Sequence, residues 1–170
     1  QTGIGRTGTR FAYEQTVLKP HIVSMAKGLG GGFPIGGILG VAELFDTFNA
    51  GTHGTTFGGN PLAVAVAQTV VDVVFEPTFL ANVQQMSAYF IEQLQTHLPS
   101  SFSVQGKGLM LGLYCGGEDV APVVSKLDEA GLLTVAAGPK VIRLLPPLTV
   151  TKEEIDEAVA ILKNTLSVNF

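Results

Sequence analysis

The stretch "SMAKGLGGGFPIGG", Ser24 to Gly37, joins an apolar segment, a single lysine and a glycine-rich run. The segments on either side, "HIVSMA" (21–26) and "PIGGILGVA" (34–42), have the length and composition of buried strands bounded by glycine turns. Lys27 is therefore predicted to lie at the end of a strand. It stands at the entrance to a loop whose backbone can approach a ligand closely.

Lys27 precedes the glycines, which is the reverse of the order in a nucleotide-binding P-loop. It is therefore not predicted to bind a phosphate in that way. An amine held at the end of a buried segment loses solvation, which disfavours its charged form and makes it a nucleophile toward carbonyl groups. The local sequence also allows a strand-end lysine that reaches solvent, which is the commoner of the two arrangements.

The segment "GIGRTG" (3–8) matches the dinucleotide-binding pattern G-x-G-x-x-G as a string. That fold also requires a preceding strand, a following helix and an acidic residue about 20 positions later. Here the following residues, "TRFAYEQTVLKPH", form a poor helix sequence. A dinucleotide site is therefore not expected.

A second motif, "GTHGTTFGGNP" (51–61), places Thr55 and Thr56 shortly before Asn60 and Pro61. Asn60-Pro61 predicts an N-cap followed by proline in the first turn of a helix. Hydroxyl groups beside a helix N-terminus suit a phosphate, although ordinary threonine turns explain the segment equally well. His53 has no other metal-ligating residue at ligand spacing, so it is predicted to be a hydrogen-bonding loop residue.

Arg143 stands inside the apolar strand sequence "KVIRLLPPL". A buried guanidinium is costly without an anion, so it needs a carboxylate from the protein or from a substrate. Pairing with a carboxylate of the protein itself is the commoner of these two arrangements.

Pro77 marks the predicted domain boundary, between residues 1–76 and 77–170. Before it, 62–75 is apolar nearly all round, which predicts a buried helix. After it, Thr151 and Glu154 form a capping box for a last helix to about residue 166. The other predicted elements of this α+β region are a helix over 78–98, a strand around 109–115, a helix around 119–130, and strands near 132–136 and 141–145.

The composition excludes several classes of protein. The chain has 170 residues, 46% hydrophobic and 14% charged, with a net charge of −4 and one cysteine. No Lys/Arg cluster could neutralise a nucleic acid, and no run approaches the roughly 18 apolar residues of a membrane span. A single cysteine excludes a disulfide framework within the chain and fits a reducing, cytoplasmic compartment. The start at Gln1, within a glycine-rich segment, suggests a piece of a longer protein.

In their order and spacing, "QTGIGRTG", "AKGLGGGFPIGG", "GTHGTTFGGNPLA" and "VIRLLPPL" resemble the class III (subgroup II, fold-type I) pyridoxal-phosphate aminotransferases. The resemblance covers essentially the whole chain. It implies an α/β fold, namely the C-terminal part of a fold-type I transferase. Residues 1–76 would be the end of the large mixed-sheet, cofactor-binding domain, and 77–170 a small α+β domain.

The resemblance also implies roles for individual residues. Lys27 matches the lysine that holds pyridoxal 5'-phosphate covalently and then acts as general acid and base. Gln1 matches a glutamine near the phenolic oxygen of the cofactor, and Thr56 the residue that binds its phosphate from the neighbouring subunit of a homodimer. Thr55 matches a substrate-contacting position, and Arg143 the arginine that receives a substrate carboxylate. No metal is implied.

The implied reaction is transamination of N-acetylornithine with 2-oxoglutarate, in arginine biosynthesis. Ornithine, succinylornithine and 4-aminobutyrate are alternative amino donors, and a non-catalytic assembly module is the alternative from another class. The family's aspartate for the pyridinium nitrogen is expected shortly before Gln1, outside this sequence. Its upstream phosphate-binding segment and its stacking aromatic residue are also outside. The 170 residues alone are therefore expected to lack activity.

Overall fold

The structure, a computed structural model, describes residues 1–117 and 119–167 of the chain. Contacts between residues divide the chain into two compact units, Gln1–Leu80 and Ala81–Phe170. The division falls within the helix Pro77–His97, close to its start. The domain boundary at 76/77 stays a prediction.

The first unit contains a two-stranded antiparallel ribbon, a short helix, a longer helix and the start of a third. Its elements are β1 (Ile22–Met25), β2 (Gly37–Gly40), α1 (Ala42–Phe45), α2 (Pro61–Val74) and the start of α3 (Pro77–His97). Met25 lies opposite Gly37, so the chain between them forms a loop that leaves and re-enters the ribbon at one end. Both strands predicted from the apolar segments are present, but the expectation that they are buried is wrong within this unit, since Ile22, Ile38 and Leu39 are 56%, 61% and 50% exposed. Because the two strands pair with each other, they fix the two ends of the glycine-rich loop.

Helix α2 is less buried than its composition predicts. Ala63, Ala67 and Val74 are its buried residues. Leu62, Val64 and Val73 are 63%, 48% and 51% exposed. The expectation of an all-round buried helix is wrong in this unit. The reason is that, within this unit, the turn Lys27–Gly30 packs against one side of the helix and leaves other sides open.

The second unit is an antiparallel sheet with helices on one face. Its elements are β3 (Ser103–Lys107), β4 (Met110–Tyr114), α4 (Ala121–Glu129), β5 (Val135–Ala136), β6 (Val141–Leu144), α5 (Lys152–Leu166) and most of α3. The strand order is β3-β4-β6-β5. The predicted strands and helices of this region are confirmed. The helix predicted over 78–98 lies one residue earlier, at Pro77–His97, and the other elements are slightly shorter than predicted or nearly as predicted. β3 was not predicted, because "SVQGK" offers a single apolar residue, Val104, toward the core.

The core of the second unit lies between the sheet and its helices. One sheet face supplies Leu111, Leu113, Ile142 and Leu144, which are all at most 4% exposed. The helices supply Val83, Phe90, Leu94, Leu127, Ile155, Val159 and Leu162. Burial of aliphatic side chains contributes roughly 1.5–3 kcal/mol each, so this face of the sheet is firmly held. The other face carries Arg143.

The capping box of α5 is present as predicted. Thr151 Oγ1 accepts a hydrogen bond from the backbone N–H of Glu154 at 3.3 Å, and the Glu154 carboxylate accepts one from the backbone N–H of Thr151 at 2.8 Å.

Over the residues that the structure describes, no single helix has both the length and the hydropathy of a membrane span. The two consecutive helices Pro61–Val74 and Pro77–His97 reach that length and composition when they are counted as one segment, but the chain bends by 69° between them.

Candidate active site

Lys27 lies two residues after the end of β1 and has a left-handed backbone conformation. Its φ of 52° is the one positive φ at a non-glycine residue in the described part of the chain. This conformation costs about 1–2 kcal/mol, because the Cβ approaches a carbonyl oxygen. Ala26 before it is extended, with φ −161°, so the backbone turns sharply at Lys27. Strain of this kind is often found at binding and catalytic sites.

The glycine-rich run after Lys27 packs closely against its own unit. Lys27–Gly30 forms a single 3₁₀ turn, which Gly31 ends with a left-handed φ of 55°. A Cβ on Gly30 would lie 2.8 Å from Cγ2 of Ile35, and one on Gly31 would lie 2.9 Å from Cγ2 of Val70 on α2. Glycine is required at these two positions because the loop approaches the protein's own side chains so closely.

The Lys27 side chain lines an open cavity of about 600 Å³. Its lining residues are Lys27, Gly28, Gly31, Gly32, Phe33, Pro34 and Ile35. Small-molecule sites have volumes of roughly 300–1,000 Å³. The cavity thus offers an accessible primary amine, glycine backbone and an aromatic ring, Phe33. A primary amine can bond covalently to an aldehyde, so these residues fit an aromatic aldehyde cofactor.

Lys27 is exposed in this chain. The loss of solvation expected for its amine therefore does not occur here, because residues 1–80 leave this side of the loop open. The strand-end position is confirmed, whereas the buried environment is not found within the first unit.

Thr55 and Thr56 lie in the loop that leads into α2, and both are exposed. Thr55 Oγ1 accepts a hydrogen bond from the backbone N–H of Gly58 at 3.1 Å, which closes a local turn. Asn60 then caps α2 as predicted, since its Oδ1 accepts a hydrogen bond from the backbone N–H of Ala63 at 2.9 Å. Thr55 thus makes the contact of an ordinary threonine turn.

The glycine-rich loop and the threonine loop meet at a second cavity, of about 310 Å³. Its lining residues are Pro34, Ile35, Gly36, Phe57, Gly58, Gly59, Asn60 and Ala63. Lys27 lines the first cavity, and neither Thr55 nor Thr56 lines either of the two. The two motifs therefore share the lining of one cavity in the first unit, but Lys27 and the threonines do not line a cavity together.

Arg143 lies on the second unit, in the middle of β6, and it is half-buried. Its neighbours Ile142 and Leu144 point into the core, being 0% and 4% exposed. Because side chains alternate along a strand, Arg143 lies on the opposite face. The expectation of an arginine buried within an apolar strand is corrected accordingly. Among the described residues, no carboxylate pairs with its guanidinium.

Gly112 is a residue of this region that the sequence predictions missed. It lies on β4 directly opposite Arg143 on β6. A glycine inside a strand often marks a close approach of a ligand or another chain segment, so "LMLGLYC" (109–115) did contain a signal.

Gln1 is exposed, and the segment after it forms a compact loop. The backbone N–H of Gly5 donates to the carbonyl of Arg10 at 3.0 Å. The loop continues into a short 3₁₀ turn, Ala12–Gln15, rather than into the long helix of a dinucleotide site. Burial lowers the pKa of the Arg6 guanidinium in this loop.

His53 contacts an aromatic ring, with its own ring centroid 5.3 Å from that of Phe48. In the residues covered by the structure, no group of three His, Cys, Asp or Glu side chains is arranged to hold a metal ion.

Comparison with known proteins gives consistent matches. The sequence profile of the family described as aminotransferase class-III matches residues 1–166. An acetylornithine aminotransferase of Bacillus subtilis is 52% identical over 169 residues, which are 98% of this chain and 44% of that protein. A second acetylornithine aminotransferase, from Listeria innocua, is 46% identical over the same shares of the two proteins. The chain thus spans less than half the length of these curated relatives.

Solved structures match over the whole chain as well. The N-acetylornithine aminotransferase of Stenotrophomonas maltophilia has a TM-score of 0.86 at 35% identity, covering 99% of this chain and 45% of that one. The ornithine aminotransferase of Plasmodium yoelii has a TM-score of 0.90 at 34% identity, covering 99% and 46%. The mixed α/β fold is therefore that of the C-terminal part of fold-type I aminotransferases, as predicted.

Proposed function

Because this chain belongs to the class-III aminotransferase family, we propose that it provides part of the active site for transamination between N-acetylornithine and 2-oxoglutarate. The products are N-acetylglutamate semialdehyde and glutamate, and the pathway is arginine biosynthesis. Support for this amino donor comes from relatives named acetylornithine aminotransferase, at 52% and 46% identity.

The observation that carries the proposal is the position of Lys27. It lies two residues after the end of β1, has a strained left-handed backbone, is exposed, and lines a glycine-rich cavity. A primary amine in such a place is suited to bond covalently to an aldehyde. In the complete enzyme, the remaining cofactor-binding residues and the partner subunit cover this side of the loop and exclude water from the amine.

Pyridoxal 5'-phosphate, when bound, supplies the electron sink for the substrate carbanion. Lys27 would hold the cofactor through its Nζ. When it is not bonded to the cofactor, the same Nζ would move a proton at the substrate Cα as general base and acid. Gln1 would be the residue beside the phenolic oxygen of the cofactor, and Thr56 would bind the phosphate in the neighbouring subunit of a homodimer.

Arg143 binds the carboxylate of each substrate, and Thr55 contacts the substrate beside it. A half-buried guanidinium without a carboxylate partner among the described residues is suited to this role. Arginine binds a carboxylate through two parallel hydrogen bonds, which fixes the orientation of the substrate. The enzyme is proposed to act in the cytoplasm.

An alternative amino donor is ornithine. The structural likeness to an ornithine aminotransferase, with a TM-score of 0.90, favours it, but the 34% identity there is well below the 52% to an acetylornithine aminotransferase.

A chimaera tests the proposal directly. Residues 1–170 replace the matching 44% of the B. subtilis acetylornithine aminotransferase, and turnover of N-acetylornithine with 2-oxoglutarate is measured. We expect activity in the chimaera and a loss of about 10⁴-fold or more in its Lys27→Ala variant, since proton transfer and covalent attachment both depend on that amine. A folded dimeric chimaera without activity would instead favour a non-catalytic assembly role.

The isolated 170-residue chain is expected to be inactive under the same conditions. Within it Lys27 is exposed, and the aspartate, aromatic residue and phosphate-binding segment known from the family lie outside its sequence. Turnover by the purified chain at the rate of the chimaera would contradict this expectation.

A further inference from the structure

The turn that begins at Lys27 is held together by backbone hydrogen bonds. The N–H of Leu29 donates to the carbonyl of Ala26 at 3.1 Å, and the N–H of Gly31 donates to the carbonyl of Gly28 at 3.2 Å. The Leu29 side chain is buried, at 8% exposed. Lys27 itself is left-handed, at a φ of 52°, so the direction of its side chain depends on how this turn is held.

The left-handed conformation of Lys27 needs support from outside the turn. It costs about 1–2 kcal/mol relative to a right-handed one. Such a residue keeps its conformation where the surrounding structure imposes it. The two hydrogen bonds join residues within 26–31, so they would move together with the turn. The contact that fixes the turn in the unit must therefore come from another segment.

Two contacts of the turn with neighbouring loops are weak candidates for this role. A Cβ on Gly28 would lie 3.4 Å from the backbone nitrogen of Ile4, which is an ordinary van der Waals distance. A Cβ on Gly30 would lie 2.8 Å from Cγ2 of Ile35. That contact is close, but Ile35 belongs to the same glycine-rich loop and would move with it.

Val70 on α2 occupies the place that a side chain would take at Gly31. A Cβ built on Gly31 would lie 2.9 Å from Cγ2 of Val70, which is closer than carbon atoms pack. The methyl group therefore rests against the glycine that ends the turn. Among the helices and strands of the described residues, α2 makes the most contacts with this turn. Groups supported by a helix are held more precisely than groups supported by a loop.

We propose that Val70 is a positioning residue for Lys27. Its methyl group, packed against Gly31, holds the turn Lys27–Gly30 in the conformation that keeps the Lys27 backbone left-handed and its side chain at the cavity. The inference rests on the proposed function, because the amine that is positioned is the one proposed to hold the cofactor. Val70 does not line the Lys27 cavity, so it acts through the turn and not on a ligand.

The hold on the Lys27 backbone can be measured without cofactor or substrate. In the chimaera, Lys27→Gly removes the clash of the Cβ at a positive φ, whereas Lys27→Ala retains it, so Lys27→Gly should have the higher melting temperature. If Val70 imposes the conformation, this difference should fall by about half or more when Val70→Ala is added, because the turn can then relax. A difference that is the same with and without Val70→Ala would overturn the inference.

Turnover separates positioning from general packing on α2. In Val70→Ala the amine is less well placed, so kcat should fall about tenfold while KM for 2-oxoglutarate changes by less than about twofold. The matched control Val73→Ala, on the same helix at a residue that is 51% exposed, should leave both constants unchanged. Val70→Ile retains a carbon atom at each γ position and should keep about half of kcat or more. Equal losses in Val70→Ala and Val73→Ala would contradict the inference.

A double variant moves the methyl group from one side of the contact to the other. Gly31→Ala alone pushes the turn away from α2 and should lower kcat about tenfold. In Gly31→Ala/Val70→Ala the new Cβ enters the space that Cγ2 has left, so kcat should lie about fivefold or more above the product of the two single losses. If the two losses simply multiply, this contact does not hold the turn, and the inference is overturned.

Gel filtration and circular dichroism identify any variant that fails to fold. If Val70→Ala does not fold, Gly31→Ala tests the same contact with α2 left unchanged. An unchanged kcat in Gly31→Ala would then contradict the inference.

The outcomes distinguish this inference from the proposed function. If borohydride traps the cofactor on a residue other than Lys27, the proposed role of Lys27 fails, and the positioning role of Val70 fails with it. If the cofactor is trapped on Lys27 but the difference in melting temperature between Lys27→Gly and Lys27→Ala does not depend on Val70, the proposed function stands and only the inference about Val70 is wrong.

Discussion

Asn60 Oδ1 accepts a hydrogen bond from the backbone N–H of Ala63 at 2.9 Å, and this contact closes the first turn of α2. The same residue ends the loop that contains Thr55 and Thr56 and lines the cavity shared with the glycine-rich loop. One side chain therefore fixes both the start of the helix and the end of the threonine loop.

Loss of this cap is expected to destabilise the first unit. Asn60→Ala should lower the free energy of unfolding by about 1 kcal/mol, because a backbone N–H at the helix start loses its acceptor. Asn60→Asp retains the acceptor but loses the amide that donates to the carbonyl of Phe57 at 2.8 Å, so its stability should lie between those of Asn60→Ala and the unmodified chain. Urea unfolding followed by circular dichroism measures both. Equal stability of Asn60→Ala and Asn60→Asp would show that the hydrogen bond contributes nothing.

The backbone strain at Lys27 predicts a difference between two inactive variants. At a φ of 52°, alanine retains the clash of the Cβ, whereas glycine removes it. Lys27→Gly should therefore be more stable than Lys27→Ala by up to about 1 kcal/mol, after the entropic cost of glycine is subtracted. Thermal melting of the two purified chains makes the comparison. If Lys27→Ala is the more stable variant, the left-handed conformation is not imposed by the fold.

Substitution of Arg143 should weaken the binding of the substrates and leave the binding of the cofactor unchanged. In the chimaera, Arg143→Ala is expected to raise KM for both carboxylate substrates by about 10²-fold, through loss of a charge-assisted pair. Arg143→Lys keeps the charge without the planar fork, so it should recover only part of this loss. Cofactor content, read from its absorbance after gel filtration, should stay unchanged. A parallel loss of cofactor in Arg143→Ala would favour a structural role.

Cys115 predicts a specific pH dependence of stability. Burial raises the pKa of its thiol from 9.0 to about 11 in the folded chain. The folded state holds the thiol proton more tightly than the unfolded state does. The free energy of unfolding that depends on this proton is therefore fully present below pH 9 and is lost as the pH rises from 9 through 11. Cys115→Ala has no thiol and should not show this loss.

The measurement is the free energy of unfolding at pH 8 and pH 10.5 for both chains. The unmodified chain should lose more stability over this range than Cys115→Ala does. Lysines and tyrosines titrate equally in both chains, so subtracting the two changes in the free energy of unfolding cancels their effect. An identical pH dependence would mean that the thiol ionises freely in the folded state.

Much of the local structure follows from residues that act over short distances. The caps at Asn60 and Thr151 depend on the next three residues, and the sequence predicts both correctly. The strands around the glycine-rich loop follow from short apolar segments bounded by glycine. The position of Lys27 at the end of a strand follows from the same pattern.

The features that the sequence did not predict depend on partners distant in the chain. β3 forms because its backbone pairs with β4, although Val104 is the one apolar residue it offers. Helix α2 is apolar on several sides, but only the residues that cover it decide which side is buried. Arg143 lies away from the core because the register of β6 places Ile142 and Leu144 there. The left-handed conformation of Lys27 has no signal in a sequence where glycine, rather than lysine, is the usual residue for it.

The central claim is that Lys27 is the residue that holds pyridoxal 5'-phosphate. Its most direct test is to incubate the chimaera with a limiting amount of the cofactor, reduce with borohydride and locate the modified residue by peptide mass. The account predicts that the adduct lies on Lys27, is lost in Lys27→Ala, and is absent from the exposed Lys19 of the same unit. An active chimaera whose adduct lies elsewhere, or is spread equally over Lys27 and Lys19, would contradict it.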